Sequence, residues 1–280
     1  TQVFIFDTDD VATRYADRLK ERSRDIQCRV LMDRLGSISS WWTAPETPLP
    51  KNVRPPSSMP HYRMKDSRVK ARVSQNPWLV SDHSKIILID GEEAYLGGMN
   101  IGREYRYEWH DLMVRVRGPI TTELQNHFNY SWRLQGLWGD WSMPFYRLPY
   151  PYLDVTVAAH YAICLLRISL ARAEIEESLL AAIRMSRKRI YLQNSYVTSE
   201  LLLQELLDAR NRGVEVNFIF PETNDSKLMS IANRRFAATL LKLNCNVYAY
   251  PKFSHVKAFI VDNWACIGSA NLDGLSLRIN

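Results

Sequence analysis

The sequence has no run of apolar residues long enough to cross a bilayer. Its longest, Val155 to Leu166, is interrupted by His160 and falls well short of the roughly twenty residues a spanning helix needs. Cysteine is scarce: Cys28, Cys164, Cys245 and Cys266 are scattered among apolar neighbours, with no CxxC pair. That spacing excludes a disulfide scaffold and a thiolate zinc site, and it reads as reduced thiols in a reducing compartment. His61, His110, His127 and His160 show no HExxH or other clustered ligand spacing, so a histidine-built metalloenzyme is excluded as well. The chain opens on Thr1, directly into the strand-like VFIF and without an initiator Met, so removal of an N-terminal segment, with any anchor it carried, is expected.

What is present is enough for a large core. The 280 residues are 46% apolar and 11% aromatic, which fits one large domain or two of ordinary size. A net charge of +6 and a pI near 9.1 point to an anionic partner, either phospholipid headgroups or nucleic acid.

The informative stretch is HSKIILIDGEEAYLGGMN, residues 83 to 100. Its apolar run Ile86 to Ile89 reads as a buried strand, yet His83 and Lys85 stand at its mouth on one face, since residues two apart on a strand point the same way. Ordinary core does not accept that pair. From His83 to His255, 172 positions on, the pattern returns as HVKAFIVDNWACIGSAN. His83, Lys85, Asp90, Gly97, Gly98 and Asn100 become His255, Lys257, Asp262, Gly268, Ser269 and Asn271.

The duplication extends into the scaffold. VFIFDTDD, the helical ADRLKERSRD and IQCRVLMD parallel IYLQNSYV, LLQELLDARNRG and VEVNFIFPE, which reads as two βαβ units. Gly213 stands where the second helix should end. The expected fold is therefore α/β: two similar lobes, each a mostly parallel sheet flanked by helices, packed around one central active site. The first lobe is expected over 1–148 and the second over 149–280, with a boundary near Pro144 to Pro151. Residues 123–141 and 171–189 read as helical. The first lobe carries an insertion, 41–72, holding six of the 13 prolines and a basic cluster, which predicts little regular structure. With Trp41 and Trp42 it reads as a surface loop or a membrane-touching flap.

Two His-Lys pairs suit a phosphodiester. One neutral imidazole attacks phosphorus while the other, protonated, hands its proton to the leaving alcohol; the phosphohistidine is then opened by water or another alcohol. Lys85 and Lys257 with the amides of Asn100 and Asn271 can meet the charge on the equatorial oxygens, so neither metal nor cofactor is expected. Asp90 and Asp262 stand seven residues beyond the histidines, about 23 Å at strand rise, and are expected to hold turns.

The paired HxKxxxxD with GGxN or GSxN resembles the phospholipase D superfamily. NSYVTSELLLQELLDARNRGVEVNFIFP, GSANLDGLSLRIN and EWHDLMVRVRGP are most like its bacterial cardiolipin synthase branch. The resemblance implies a phosphatidyltransferase working through a phosphohistidine. The motif residues His83, Lys85, Asp90, His255, Lys257 and Asp262 form its catalytic set, and Asn100, Ser269 and Asn271 bind substrate. It also implies an acid behind each histidine: Asp111, 28 residues after His83, matches that place, and the acid serving His255 is expected beyond Asn280. With Asp111 behind it, His83 is expected to be the nucleophile and His255 the general acid. The partners implied are an anionic, phosphatidylglycerol-like substrate and a membrane surface at the cytoplasmic face, where the protein sits peripherally. A phospholipase D hydrolase or a nuclease of the same superfamily is the alternative; nucleic acid is the less favoured substrate, because relatives that cut DNA usually carry one motif per chain.

Overall fold

A computed structural model describes residues 1–39, 64–74, 82–135, 163–169 and 172–278. Trp41, Trp42, His61, His160 and the expected lobe boundary lie outside the described residues. The chain divides into two compact units. The first takes 1–96, 100–108 and 114–165; the second takes 166–280 together with two short stretches from earlier in the chain, 97–99 and 109–113.

In the first unit, β1 (Gln2–Val3) is followed by α1 (Asp10–Arg22), β2 (Arg29–Asp33), α2 (Arg34–Ser39) and β3 (Lys70–Ser74). The motif strand β4 (Ile86–Ile89) turns into β5 (Glu93–Gly97). A π-helical turn (Glu104–Glu108), β6 (Met113–Arg117) and α3 (Ile120–Leu134) complete it. The strand order is β3-β2-β1-β4-β5-β6.

The second unit has a small hairpin, β7 (Ile168–Ser169) and β8 (Arg172–Ala173), then α4 (Glu174–Met185) and β9 (Arg189–Gln193). α5 (Glu200–Asn211), β10 (Glu215–Pro221), α6 (Lys227–Lys242) and β11 (Asn246–Tyr250) follow. The second motif strand β12 (Ala258–Val261), β13 (Trp264–Ile267) and α7 (Gly274–Arg278) close it. Its order β11-β10-β9-β12-β13 repeats that of the first five strands of unit one, so the duplication read from the sequence is a duplication of topology.

The expectation of mostly parallel sheets needs correction. β2 is parallel to β1 and β3, and β10 to β9 and β11, as βαβ crossovers require. The motif strands instead run antiparallel to β1 and β9 and again to the strands after them. The reason is local: Asp90-Gly91 and Asp262-Asn263 close short turns with Asp90 at φ 54°, Gly91 at 74° and Asp262 at 51°, so each motif strand folds straight back as a hairpin.

Two other expectations shift. VFIFDTDD is strand only at its start, because Asp9 is consumed as a helix cap: its carboxylate accepts the Ala12 N–H at 2.8 Å and starts α1. The proline-rich stretch ends sooner than expected, since Lys70–Ser74 forms an edge strand. Ala71 and Val73 pack on the core while Lys70 and Arg72 point outward. Gly213 ends α5 at φ 88°, as the sequence implies, and Ser199 caps its start, accepting from Leu202 N at 3.2 Å.

The core of unit two is built from one face of its sheet, Ile190, Leu192, Val216, Phe218, Phe259 and Val261. Leu179 and Ile183 of α4, Leu206 of α5, and Phe236 and Leu240 of α6 cover that face. This rigid apolar layer fixes the mouth of β12, where the second motif sits.

Candidate active site

The sequence places His83 and Lys85 at the mouth of β4. In the structure Lys85 is 2% exposed, and its Nζ donates to the carbonyl of His83 at 2.7 Å. Lys257 repeats this in unit two, 1% exposed, donating to the carbonyl of His255 at 2.7 Å and to Ser195 Oγ at 3.1 Å. A buried ammonium is tolerable only with acceptors around it, and each lysine takes its first from the backbone of its own motif histidine. That bond ties the lysine to the backbone of its own motif histidine, so the HxK spacing is a structural unit as well as a chemical one.

In unit one the His83 ring lies 4.5 Å from the ring of Phe4, and Lys85 Nζ stands 5.3 Å over the same ring. Asn100 is buried and its Oδ1 accepts the N–H of Ile5 at 2.9 Å, which leaves its amide nitrogen as the group free to donate to a substrate.

In unit two the site is more complete. His255 Nδ1 lies 2.7 Å from Asp111 Oδ2, and the Asp111 side chain is fully buried. Trp109 and Phe253 pack 5.5 and 6.0 Å from the imidazole. The segment 109–113 is held against 253–255 by a parallel bridge from His110 to Ser254. Within it His110 N donates to Phe253 O at 3.1 Å, and His255 N donates to His110 O at 2.7 Å. Alternation then puts Trp109 and Asp111 on the side of Phe253 and His255, while His110 and Ser254 face the other way with Gln193 and Tyr250.

This corrects the expected pairing. Asp111 serves His255, not His83, and the acid of His255 lies upstream in the chain rather than beyond Asn280. The physical reason is the backbone ladder just described, which draws residues 109–113 into the second unit. Spacing in the sequence carries no trace of that ladder.

The glycines of the first motif take their meaning from the same segment. A Cβ on Gly98 would meet Asp111 Oδ1 at 2.2 Å, and one on Gly97, at φ 159°, would meet the Leu112 carbonyl at 2.1 Å. Serine, as at Ser269, would not fit where Gly98 stands. Around Gly268 nothing lies within 4 Å of such a Cβ.

The remaining predicted residues separate by role. Asn271 is 7% exposed, and its Oδ1 has no partner among the described residues; Asn194, fully buried, takes the N–H of Tyr196 at 3.1 Å and of Leu272 at 3.3 Å. Ser269 is half-buried beside it in the chain. Asp262 sits in the turn after β12, where its carboxylate accepts the N–H groups of Arg187 at 2.8 Å, Lys188 at 3.0 Å and Arg189 at 2.9 Å. Those bonds, Arg189's foremost, hold its carboxyl below the usual aspartate range. Asp90 is exposed in the matching turn. Asp262 therefore holds its turn, as strand length required, and Asp90 occupies the same place in the first motif at φ 54°.

Sequence reasoning missed Ser195, Trp109, Phe253, Phe4 and the constraint on Gly98. Trp109 had a signal, since it stands two residues from Asp111 and so shares its face in extended chain.

The same His-Lys unit stands on two topologically equal sheets, its lysine buried in each, and in unit two a carboxylate holds Nδ1 of the imidazole. The family model described as cardiolipin synthase, PLD-like domain, matches residues 2–132 and 179–280. The chain belongs to that family. Cardiolipin synthase A of Buchnera aphidicola subsp. Acyrthosiphon pisum (strain APS) is 30% identical over 97% of this chain and 56% of its own length. Cardiolipin synthase A of Pseudomonas fluorescens (strain SBW25) is 28% identical over 100% of this chain and 57% of its own. The chain thus spans somewhat more than half the length of these curated relatives. A phosphatidylserine synthase of Haemophilus influenzae Rd KW20 shares the fold, with a TM-score of 0.70 at 12% identity over 99% of this chain and 74% of that one.

Proposed function

We propose that the chain is a phosphatidyltransferase of the phospholipase D type. It moves a phosphatidyl group from an anionic, phosphatidylglycerol-like lipid to the hydroxyl of a second lipid, at the cytoplasmic face of the membrane. The observation that carries the reading is the Asp111–His255 pair at 2.7 Å beside a buried lysine that has its twin in the first motif. Belonging to a cardiolipin synthase family supports the choice of substrate.

Asp111 occupies Nδ1 of His255 and stabilises the imidazolium, so Nε2 carries the transferable proton. His255 is then the general acid and His83 the nucleophile. A ring nitrogen of His83 bonds to phosphorus as the P–O bond to the leaving glycerol breaks, and the Nε2 proton passes to that alkoxide. In the second half the acceptor hydroxyl gives its proton to His255, its oxygen bonds to phosphorus, and the N–P bond breaks. Lys85, Lys257 and the Asn100 amide neutralise the equatorial oxygens during both steps. The role assignment keeps its sequence-based direction but on new ground: Asp111 marks the acid, not the nucleophile.

The test is trapping. His255→Ala, given a phospholipid whose leaving group needs no protonation, should accumulate a phosphatidyl adduct that peptide mapping places on His83. An adduct mapped to His255 in the unsubstituted chain would reverse the roles.

A further inference from the structure

α6 (Lys227–Lys242) shows the core only one side. Asn233, Phe236, Ala237 and Leu240 are buried in unit two, and the opposite side carries large apolar residues in the open: Leu228 is 76% exposed, Ile231 66% and Leu241 56%. Interleaved with them are Lys227, Arg234, Arg235 and Lys242, all exposed, and no acidic residue occurs within the helix. At 100° per residue, these positions with exposed Ala238 fill a single arc of about 140°. None of the four cations forms an ion pair among the described residues.

A solvated helix face of a soluble enzyme is ordinarily laced with both signs of charge and spares large apolar side chains from water. This one does neither. The acids near it, Glu222 and Asp225, precede the Ser226 cap, and Asp225 is bonded to Tyr196 OH at 2.6 Å, so the outward arc itself stays cationic and apolar.

We propose that the outer face of α6 docks the protein on the surface of a bilayer containing anionic lipid. The three aliphatic side chains enter the headgroup boundary, and the four cations meet lipid phosphates around them. This deepens the phosphatidyltransferase reading and rests on it for the choice of a lipid surface. The charge pattern favours that occupant over a second copy of the chain: a two-fold contact would set the same four cations against their own images. An interfacial helix with a basic, acid-free polar edge is the arrangement that binds anionic bilayers, and each Lys or Arg near such a surface contributes roughly a fivefold gain in affinity at low salt.

The experiment is sedimentation of the 280-residue chain with phosphatidylcholine vesicles containing a quarter phosphatidylglycerol, compared with phosphatidylcholine alone. The unsubstituted chain should partition onto the anionic vesicles. Leu228→Glu with Ile231→Glu, and separately Arg234→Gln with Arg235→Gln, should each lower that partition tenfold or more, with far-UV circular dichroism and the melting temperature unchanged. The loss in the arginine variant should shrink at high salt, where the unsubstituted chain loses the same contribution. Partition equal to that of the unsubstituted chain in both folded variants would overturn the proposal. So would a change confined to self-association in light scattering. Because sedimentation needs no turnover, a chain that binds vesicles yet transfers no phosphatidyl group would sink the activity reading alone.

Discussion

At the scale of single residues the chemistry turns on which carboxylate faces which imidazole. Asp111→Asn keeps the shape but removes the charge that stabilises the His255 imidazolium, and turnover should fall about 10²- to 10⁴-fold with little change in melting temperature. Steady-state kinetics should show this in kcat more than in KM, since ground-state binding does not need the imidazolium. Gly98→Ser should act through the same contact. The new Cβ and the Asp111 carboxylate cannot both keep their places, so activity should drop roughly tenfold or more while far-UV circular dichroism stays native. A fully active Gly98→Ser variant would show that Asp111 can move without consequence. The motif residues themselves were legible in the sequence, because two HxK units with a trailing Asn are chemically costly and repeat. The partner of Asp111 was not, because proximity in sequence pointed to His83 while the backbone ladder at His110 and Ser254 delivers it to His255.

At the scale of elements, each motif strand is aimed by the turn at its far end. β12 ends in a turn whose Asp262 takes three N–H groups at the start of β9, tying the motif strand to its central neighbour. Its carboxyl is held below the ordinary aspartate value of 3.8 in the folded chain, so the ionised form contributes stability above about pH 3.8, and that contribution is lost as pH falls through the lower folded value. Asp262→Asn should therefore melt at a lower temperature than the unsubstituted chain near neutral pH, and the gap should close in acid. A gap that persists unchanged in acid strong enough to protonate the folded carboxylate would mean that the charge is not what matters. The βαβ halves were readable from the repeated strand-helix-strand pattern and Gly213. The hairpin reversal of β4 and β12 was not drawn from the sequence, although Asp90-Gly91 and Asp262-Asn263 are residues that accept positive φ and so permit it. The edge strand β3 was hidden by the basic residues on its outward face, which read as loop until the alternation of Ala71 and Val73 is matched to a core.

At the scale of the whole molecule, one topology occurs twice and the same His-Lys unit, its lysine buried, stands at the mouth of the same strand in each copy. Among the described residues no helix is long and apolar enough to cross a membrane. The net charge of +6 lies in part on the outer face of α6, where it sits beside exposed leucines and isoleucine. The proposed chemistry stabilises phosphoryl charge with ammonium and amide groups alone, so EDTA should leave turnover unchanged, and strong inhibition by the chelator would require a different mechanism. Phosphatidyl transfer itself is best tested by incubating the chain with labelled phosphatidylglycerol and separating the products by thin-layer chromatography. The expected result is a lipid carrying two phosphatidyl groups together with released glycerol, and no product from His83→Ala or His255→Ala. Phosphatidylglycerol left intact while a labelled oligonucleotide is cut by the same preparation would contradict it.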